Sequence, residues 1–142
     1  MSALRQKSGE RWRAAQGSSD MAKVLIIEDS TANMALAVFI LQTAGYIVLS
    51  AVDAETGLMM AREKQPDLIL MDIQLPGMDG LEATAQLKCG ELTRNIPVIA
   101  LTALAMKGDE ERIRAAGCDG YIAKPVRYKE LLAAITVHLA RT

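Results

Sequence analysis

The sequence predicts a doubly wound α/β domain, a five-stranded parallel sheet with five helices packed on its two faces. Five apolar runs of strand length each recur after twenty-odd residues, the spacing of a strand plus a returning helix. The runs are continuously apolar and do not alternate, as strands covered on both faces are. The 142 residues are 51% apolar and only 4% aromatic, which suits one domain with an aliphatic core.

The first run is VLII (24 to 27). Ser30 or Thr31 can then cap a helix through Thr43, its side-chain oxygen accepting an otherwise unpaired N–H of the first turn; Gly45 stops it. YIVLSAV (46 to 52) is the second run, with Asp53 capping a helix through Lys64 that ends before Pro66. DLILMD (67 to 72) is the third, followed by a helix from the Asp79 cap through Lys88, stopped at Gly90. IPVIALT (96 to 102) leads to a fourth helix, about Met106 to Ala116, whose middle reads GDEERIR with Ile113 nearly alone among charges. A helix so weakly held by burial is a candidate for movement. GYIA (120 to 123) is the last strand, and the helix from Tyr128 to Ala140 sets Leu131, Leu132, Ile135 and Leu139 on one stripe that can dock on a sheet.

Residues 1 to 20 differ from the rest. They carry Arg5, Lys7, Arg11 and Arg13 against Glu10 and Asp20, a balance of +2 that leaves -3 on residues 21 to 142 of a chain whose net charge is -1. The segment lacks an apolar period and reads as a disordered or non-native extension ahead of Met21, with a Trp12-anchored basic arm as the minority reading. Near neutrality gives no electrostatic reason to expect nucleic acid. No stretch approaches a membrane span or a signal peptide, so no membrane insertion is expected and the chain is assigned to the cytoplasm. Cys89 and Cys118 with the single His138 do not fit structural zinc spacings and read as free thiols; His138, on the last helix, reads as a surface residue.

In an open parallel sheet, ligands gather at the carboxyl ends of the strands where strand order reverses. The first strand ends in Glu28-Asp29, the third in Asp72 and the fourth in Thr102, while the fifth runs into Lys124-Pro125. Three carboxylates, a hydroxyl and an amine would share one edge. Unpaired, the carboxylates would repel and raise one another's pKa; Mg2+, which takes oxygen ligands and is commonly held by one or two carboxylates plus a phosphate, resolves that repulsion. Asp72 then stays nucleophilic, Lys124 offers a point charge to phosphoryl oxygens and Thr102 a hydrogen bond, enough for phosphoryl transfer. Each residue also has a bland reading: Asp29 as a helix cap, Asp72 as a turn residue, Thr102 as an ordinary strand residue, Lys124 as a solvated charge. The bland readings do not explain why all four fall on strand ends of one edge.

These residues carry a resemblance. From about Lys23 to Ala140 the chain resembles the receiver domain of two-component response regulators, through KVLIIEDS (23 to 30), PDLILMDIQLPGMDGLEAT (66 to 84), IPVIALTA (96 to 103) and GYIAKPV (120 to 126). The resemblance implies a flavodoxin-like strand order 2-1-3-4-5. It implies Asp72 as phosphoacceptor, Glu28 and Asp29 as the acidic pair that binds Mg2+, the backbone carbonyl of Gln74 as a further ligand, Lys124 followed by a cis peptide, and Thr102 and Tyr121 as the switch pair. Glu28 departs from the commoner aspartate. The stretch from Met106 to Val126 is most similar to single-domain receivers of the cell-division and polarity type and to receivers of hybrid histidine kinases.

The reading that follows is a stand-alone receiver, with no room for an appended effector. It takes a phosphoryl group from a histidine kinase or histidine phosphotransfer protein onto Asp72 and signals by contact with a downstream protein. No turnover enzyme beyond self-catalysed aspartyl phosphorylation and dephosphorylation is implied. The run AVFIL (37 to 41) has more apolar residues than one buried stripe needs, so Phe39 or its neighbours can serve donor docking, or the helix can simply be more deeply buried. Side chains near the pocket, including Gln74 and Leu104, bear on how long the phosphoryl group persists, and an apolar Leu104, unable to orient an attacking water, favours slow loss. A phosphorylation-independent adaptor is the alternative; an aspartyl phosphatase is disfavoured by Gln74 where a second acid is needed, and a flavodoxin-like cofactor carrier by the acidic first loop.

Overall fold

The computed structural model describes residues 22–103 and 107–140. The reading of residues 1 to 20 as an extension and the role given to Leu104 lie outside the described residues. The elements run β1 Lys23–Ile27, α1 Thr31–Thr43, β2 Ile47–Ala51, α2 Ala54–Lys64, β3 Leu68–Asp72, α3 Gly80–Cys89, β4 Val98–Thr102, α4 Lys107–Ala115, β5 Gly120–Ala123 and α5 Tyr128–Ala140. All strand pairs are parallel and the order is β2-β1-β3-β4-β5, the order the resemblance implies.

Local chemistry sets the helix boundaries. Ser30 Oγ accepts the Asn33 N–H at 3.2 Å, Asp53 Oδ1 the Thr56 N–H at 2.7 Å and Asp79 Oδ1 the Glu82 N–H at 2.8 Å, so each first turn has one donor satisfied by its cap. After α1 the chain turns through Gly45 at φ 95°. α2 ends on Gln65 at φ 49°, directly before Pro66, because proline cannot continue a helix.

Side chains along a strand alternate between faces, so each continuous apolar run feeds two cores. On one face Val24, Ile26, Leu68, Leu70, Ile99 and Leu101 meet α1 and α5 through Ile40, Leu41, Leu131 and Ile135. On the other Leu25, Ile27, Ile69, Met71 and Val98 meet α2 and α3 through Leu58, Ala61, Ala83 and Leu87. Each fully buried Leu or Ile contributes roughly 1.5–3 kcal/mol against leaving it in water. Such burial on both faces makes β1, β3 and β4 the rigid floor of the site.

Coverage on both faces holds for those three strands and fails at the edges. β2 leaves Ile47 and Ser50 exposed, and β5 leaves Tyr121 and Ala123 exposed, each being an edge strand paired on one side only. α4 buries Ile113 against Ile73 and Ala100, and Ile113 is the one buried side chain among residues 108–115. The surface role given to His138 needs correction. It is half-buried, with Nδ1 2.8 Å from Ala134 O and Nε2 3.1 Å from Asp119 O. Its ring sits over Gly120, where an added Cβ would lie 2.9 Å from His138 Cε1. The absent side chain at residue 120 gives the ring its place, which a helix pattern alone does not reveal.

Candidate active site

Parallel register brings the strand ends level. Ile27 pairs with Met71, Asp72 with Leu101, and Thr102 with Ala123. Backbone bonds continue the ladder past the strands, from Glu28 N to Ala51 O at 3.0 Å, Ile73 N to Leu101 O at 3.2 Å and Lys124 N to Thr102 O at 2.7 Å. The residues after β1 and β5 and those closing β3 and β4 therefore meet on one edge, as the sequence predicts.

Glu28, Asp29 and Asp72 each place a carboxylate oxygen within 4.8 Å of the other two. Glu28 is 1% and Asp72 2% exposed, while Asp29 is open to solvent. Lys124 Nζ lies 3.1 Å from Asp72 Oδ2 and 3.2 Å from Glu28 Oε1. The second contact is a charge pair without hydrogen-bond alignment, so Glu28 Oε1 is buried with no hydrogen-bond partner among the described residues. The remaining oxygens are held by the backbone: Gln74 N–H donates to Asp72 Oδ1 at 2.9 Å and Ser30 N–H to Glu28 Oε2 at 3.1 Å.

Among the described residues, Lys124 is the one ammonium paired with this cluster of three carboxylates, so their charge is incompletely balanced. Burial, then the neighbouring Asp72 carboxylate, push the Glu28 carboxyl above its ordinary 4.5, against the opposing pull of the Ser30 amide and Lys124. Burial pulls the Lys124 ammonium down, but its hydrogen bond to Asp72 and the charges of Asp72 and Glu28 outweigh that, and the net direction is up. A buried, under-coordinated carboxylate oxygen beside two further carboxylates is a donor set for a hard, oxygen-seeking cation.

The other residues singled out from the sequence fall around this edge. Thr102 is buried at the end of β4, and Tyr121 is 41% exposed on β5, opposite Ala100. Gln74 is exposed just past β3, and the Lys124–Pro125 peptide is cis. Asp29 does not cap α1; Ser30 does. Asp72 does act as a turn residue, through the Gln74 N–H, while also pairing with Lys124. Two contributors escaped the sequence reading. The Ser30 amide is a backbone group with no side-chain signal. Gly80, the first residue of α3, packs against the backbone of Asp72 and Ile73; its signal was a glycine inside a helix, where that residue is a poor former.

A family model described as the response regulator receiver domain matches residues 24–136. The chain belongs to this family. It is a receiver-domain response regulator of the two-component type. Its relatives include the polar-differentiation response regulator DivK of Brucella ovis, 49% identical over 116 residues that cover 82% of this chain and 94% of that relative. Among solved structures, this receiver superposes on a putative response regulator from Chloroflexus aurantiacus at TM-score 0.82, with 30% identity over 84% of this chain and 98% of the other. It also superposes on the receiver domain of sensor histidine kinase PA1611 from Pseudomonas aeruginosa at TM-score 0.79, with 34% identity over 84% and 98% of the two chains. That second receiver holds a magnesium ion coordinated in its active site cleft. Receivers interact with histidine kinases and downstream proteins. No helix among the described residues is long and apolar enough to cross a membrane.

Proposed function

We propose that this receiver accepts a phosphoryl group on Asp72 from the phosphohistidine of a histidine kinase or phosphotransfer protein, with Mg2+ held by Glu28, Asp29, Asp72 and the backbone carbonyl of Gln74. The observation that carries the reading is the buried Asp72 carboxylate with Lys124 Nζ at 3.1 Å, inside a cluster of three acids. The donor set fits the metal through Glu28 Oε1, buried beside Lys124 with no hydrogen-bond partner among the described residues, and support by likeness comes from the magnesium-bound receiver of Pseudomonas aeruginosa. When bound, Mg2+ supplies charge neutralisation between the carboxylates and the incoming phosphoryl oxygens.

Asp72 supplies the nucleophile. One of its oxygens bonds to phosphorus as the P–N bond of the donor breaks, and the imidazole leaves with the bonding pair and takes up a proton. The product is an aspartyl phosphate. Lys124, kept cationic by its acidic neighbours, pairs with the transferred oxygens, and Thr102 donates a hydrogen bond to them. Tyr121 then turns inward from its exposed position, and α4, held by Ile113, shifts. The face of α4, β5 and α5 thereby changes its affinity for a downstream protein.

The donor docks beside the pocket. Phe39 is 67% and Leu36 46% exposed, and they border a groove of about 1040 Å³ with Val126, Tyr128 and Leu132. That groove lies between the helix that follows Asp29 and the segment that follows Lys124, the two chain directions leading out of the site. We place the receiver in the cytoplasm, where such donors present their phosphohistidine. Incubation with acetyl phosphate tests the metal dependence: wild type takes up phosphoryl label with Mg2+ and none under chelation, and undiminished labelling under chelation overturns the metal assignment.

A further inference from the structure

We infer that Gly80 is a positioning residue for this chemistry: the bare first turn of α3 sets the backbone of Asp72 and Ile73, and through it the Asp72 carboxylate and the Gln74 segment. The inference rests on the function proposed above and extends it to a residue that touches neither metal nor phosphoryl group. Gly80 is buried and its N–H donates to Ile73 O at 3.1 Å. A Cβ there would overlap the Asp72 carbonyl oxygen and lie 2.6 Å from Ile73 Cα and 2.9 Å from Asp72 C. All three are backbone atoms, so no rotamer relieves the contact; either the helix or the 72–73 segment must move.

The other close glycine contacts differ in kind. At the far end of α3, a Cβ on Gly90 would meet Thr93 Oγ1 at 2.8 Å, a side-chain atom that donates to Leu87 O and touches no part of β3. The first turn of α3 is also tied in place. Thr84, fully buried, donates through Oγ1 to Gly80 O at 2.8 Å, and the Cys118 thiol donates to Thr84 Oγ1 at 3.8 Å from the segment before β5. A helix start pinned from behind and touching β3 without a side chain between them leaves the phosphoacceptor segment little room to shift. The consequence is geometric: Gln74 N–H reaches Asp72 Oδ1 at 2.9 Å only while residues 72–74 keep this path.

Gly80→Ala is the test, read at a temperature where circular dichroism shows it folded. Its Mg2+ dissociation constant by calorimetry rises about 10- to 100-fold, the range for lost support behind metal ligands. Without Mg2+, the Gln74 amide resonance moves from its wild-type position. Gly90→Ala, crowded at the other end of the same helix, keeps the wild-type Mg2+ affinity whatever it does to stability. A folded Gly80→Ala with wild-type Mg2+ affinity and an unmoved Gln74 resonance overturns the inference. If Gly80→Ala does not fold, Thr84→Val, which releases the Gly80 carbonyl together with the Cys118 thiol that pins the same turn, decides: weaker Mg2+ binding supports the positioning role and unchanged binding overturns it. A wild-type chain that fails to bind Mg2+ refutes the metal reading instead, and the metal-free Gln74 resonance still judges Gly80.

Discussion

Lys124 Nζ lies 3.1 Å from Asp72 Oδ2 although 52 positions separate the two residues. Strand order accounts for the meeting: β4 lies between β3 and β5, and each of these elements ends at the same edge. The Lys124 ammonium is shared with Glu28 Oε1 at 3.2 Å, so among the described residues the three carboxylates carry more negative charge than Lys124 balances. That imbalance governs the pH dependence, the metal response and the chemistry alike.

The metal-free protein should lose stability as pH rises through the Glu28 titration. Its folded pKa is raised above 4.5 by burial first and Asp72 second, so between 4.5 and that raised value the native state binds more protons than the unfolded chain. Denaturation in chelator across this window should show a falling slope in wild type that Glu28→Gln lacks, with the variant the more stable at neutral pH. Equal slopes would refute the charge account. Lys124 acts at the other end: its contribution is intact below 10.5 and disappears as pH rises through its raised folded value.

Phe39→Ala should slow phosphotransfer from a protein donor while leaving labelling by acetyl phosphate unchanged, since the small donor needs no docking surface. An exposed side chain contributes little to the core, so thermal stability should change by less than about 0.5 kcal/mol. Slowing with both donors would move Phe39 from docking to the site itself.

Ile113→Ala should loosen α4 selectively. Truncating a buried Ile costs about 2–5 kcal/mol, and here Ile113 is the buried anchor of its helix. Amide exchange across residues 108–115 should accelerate far more than exchange in β1 and β3. Uniform acceleration would show that α4 unfolds only with the whole domain.

The strand runs, the Ser30, Asp53 and Asp79 caps and the edge on which Glu28, Asp29, Asp72, Thr102 and Lys124 meet were legible in the sequence, because each depends on residue type at a local period or on the parallel order. What escaped depends on atoms brought together late. The exposed faces of β2 and β5 follow from edge position, which an apolar run does not encode. His138 lodges over Gly120, and Gly80 against Asp72, because a missing Cβ leaves room for a neighbour distant in sequence. The unpartnered Glu28 Oε1 is a matter of angle rather than identity: Lys124 reaches it, but not along a hydrogen bond.

The central claim is that Asp72 receives the phosphoryl group. Wild type and Asp72→Asn, both shown folded, should be incubated with Mg2+ and acetyl phosphate and the modified residue located by mass spectrometry. The account predicts one phosphoryl group on Asp72 in wild type and none in the variant; labelling retained by Asp72→Asn would contradict it.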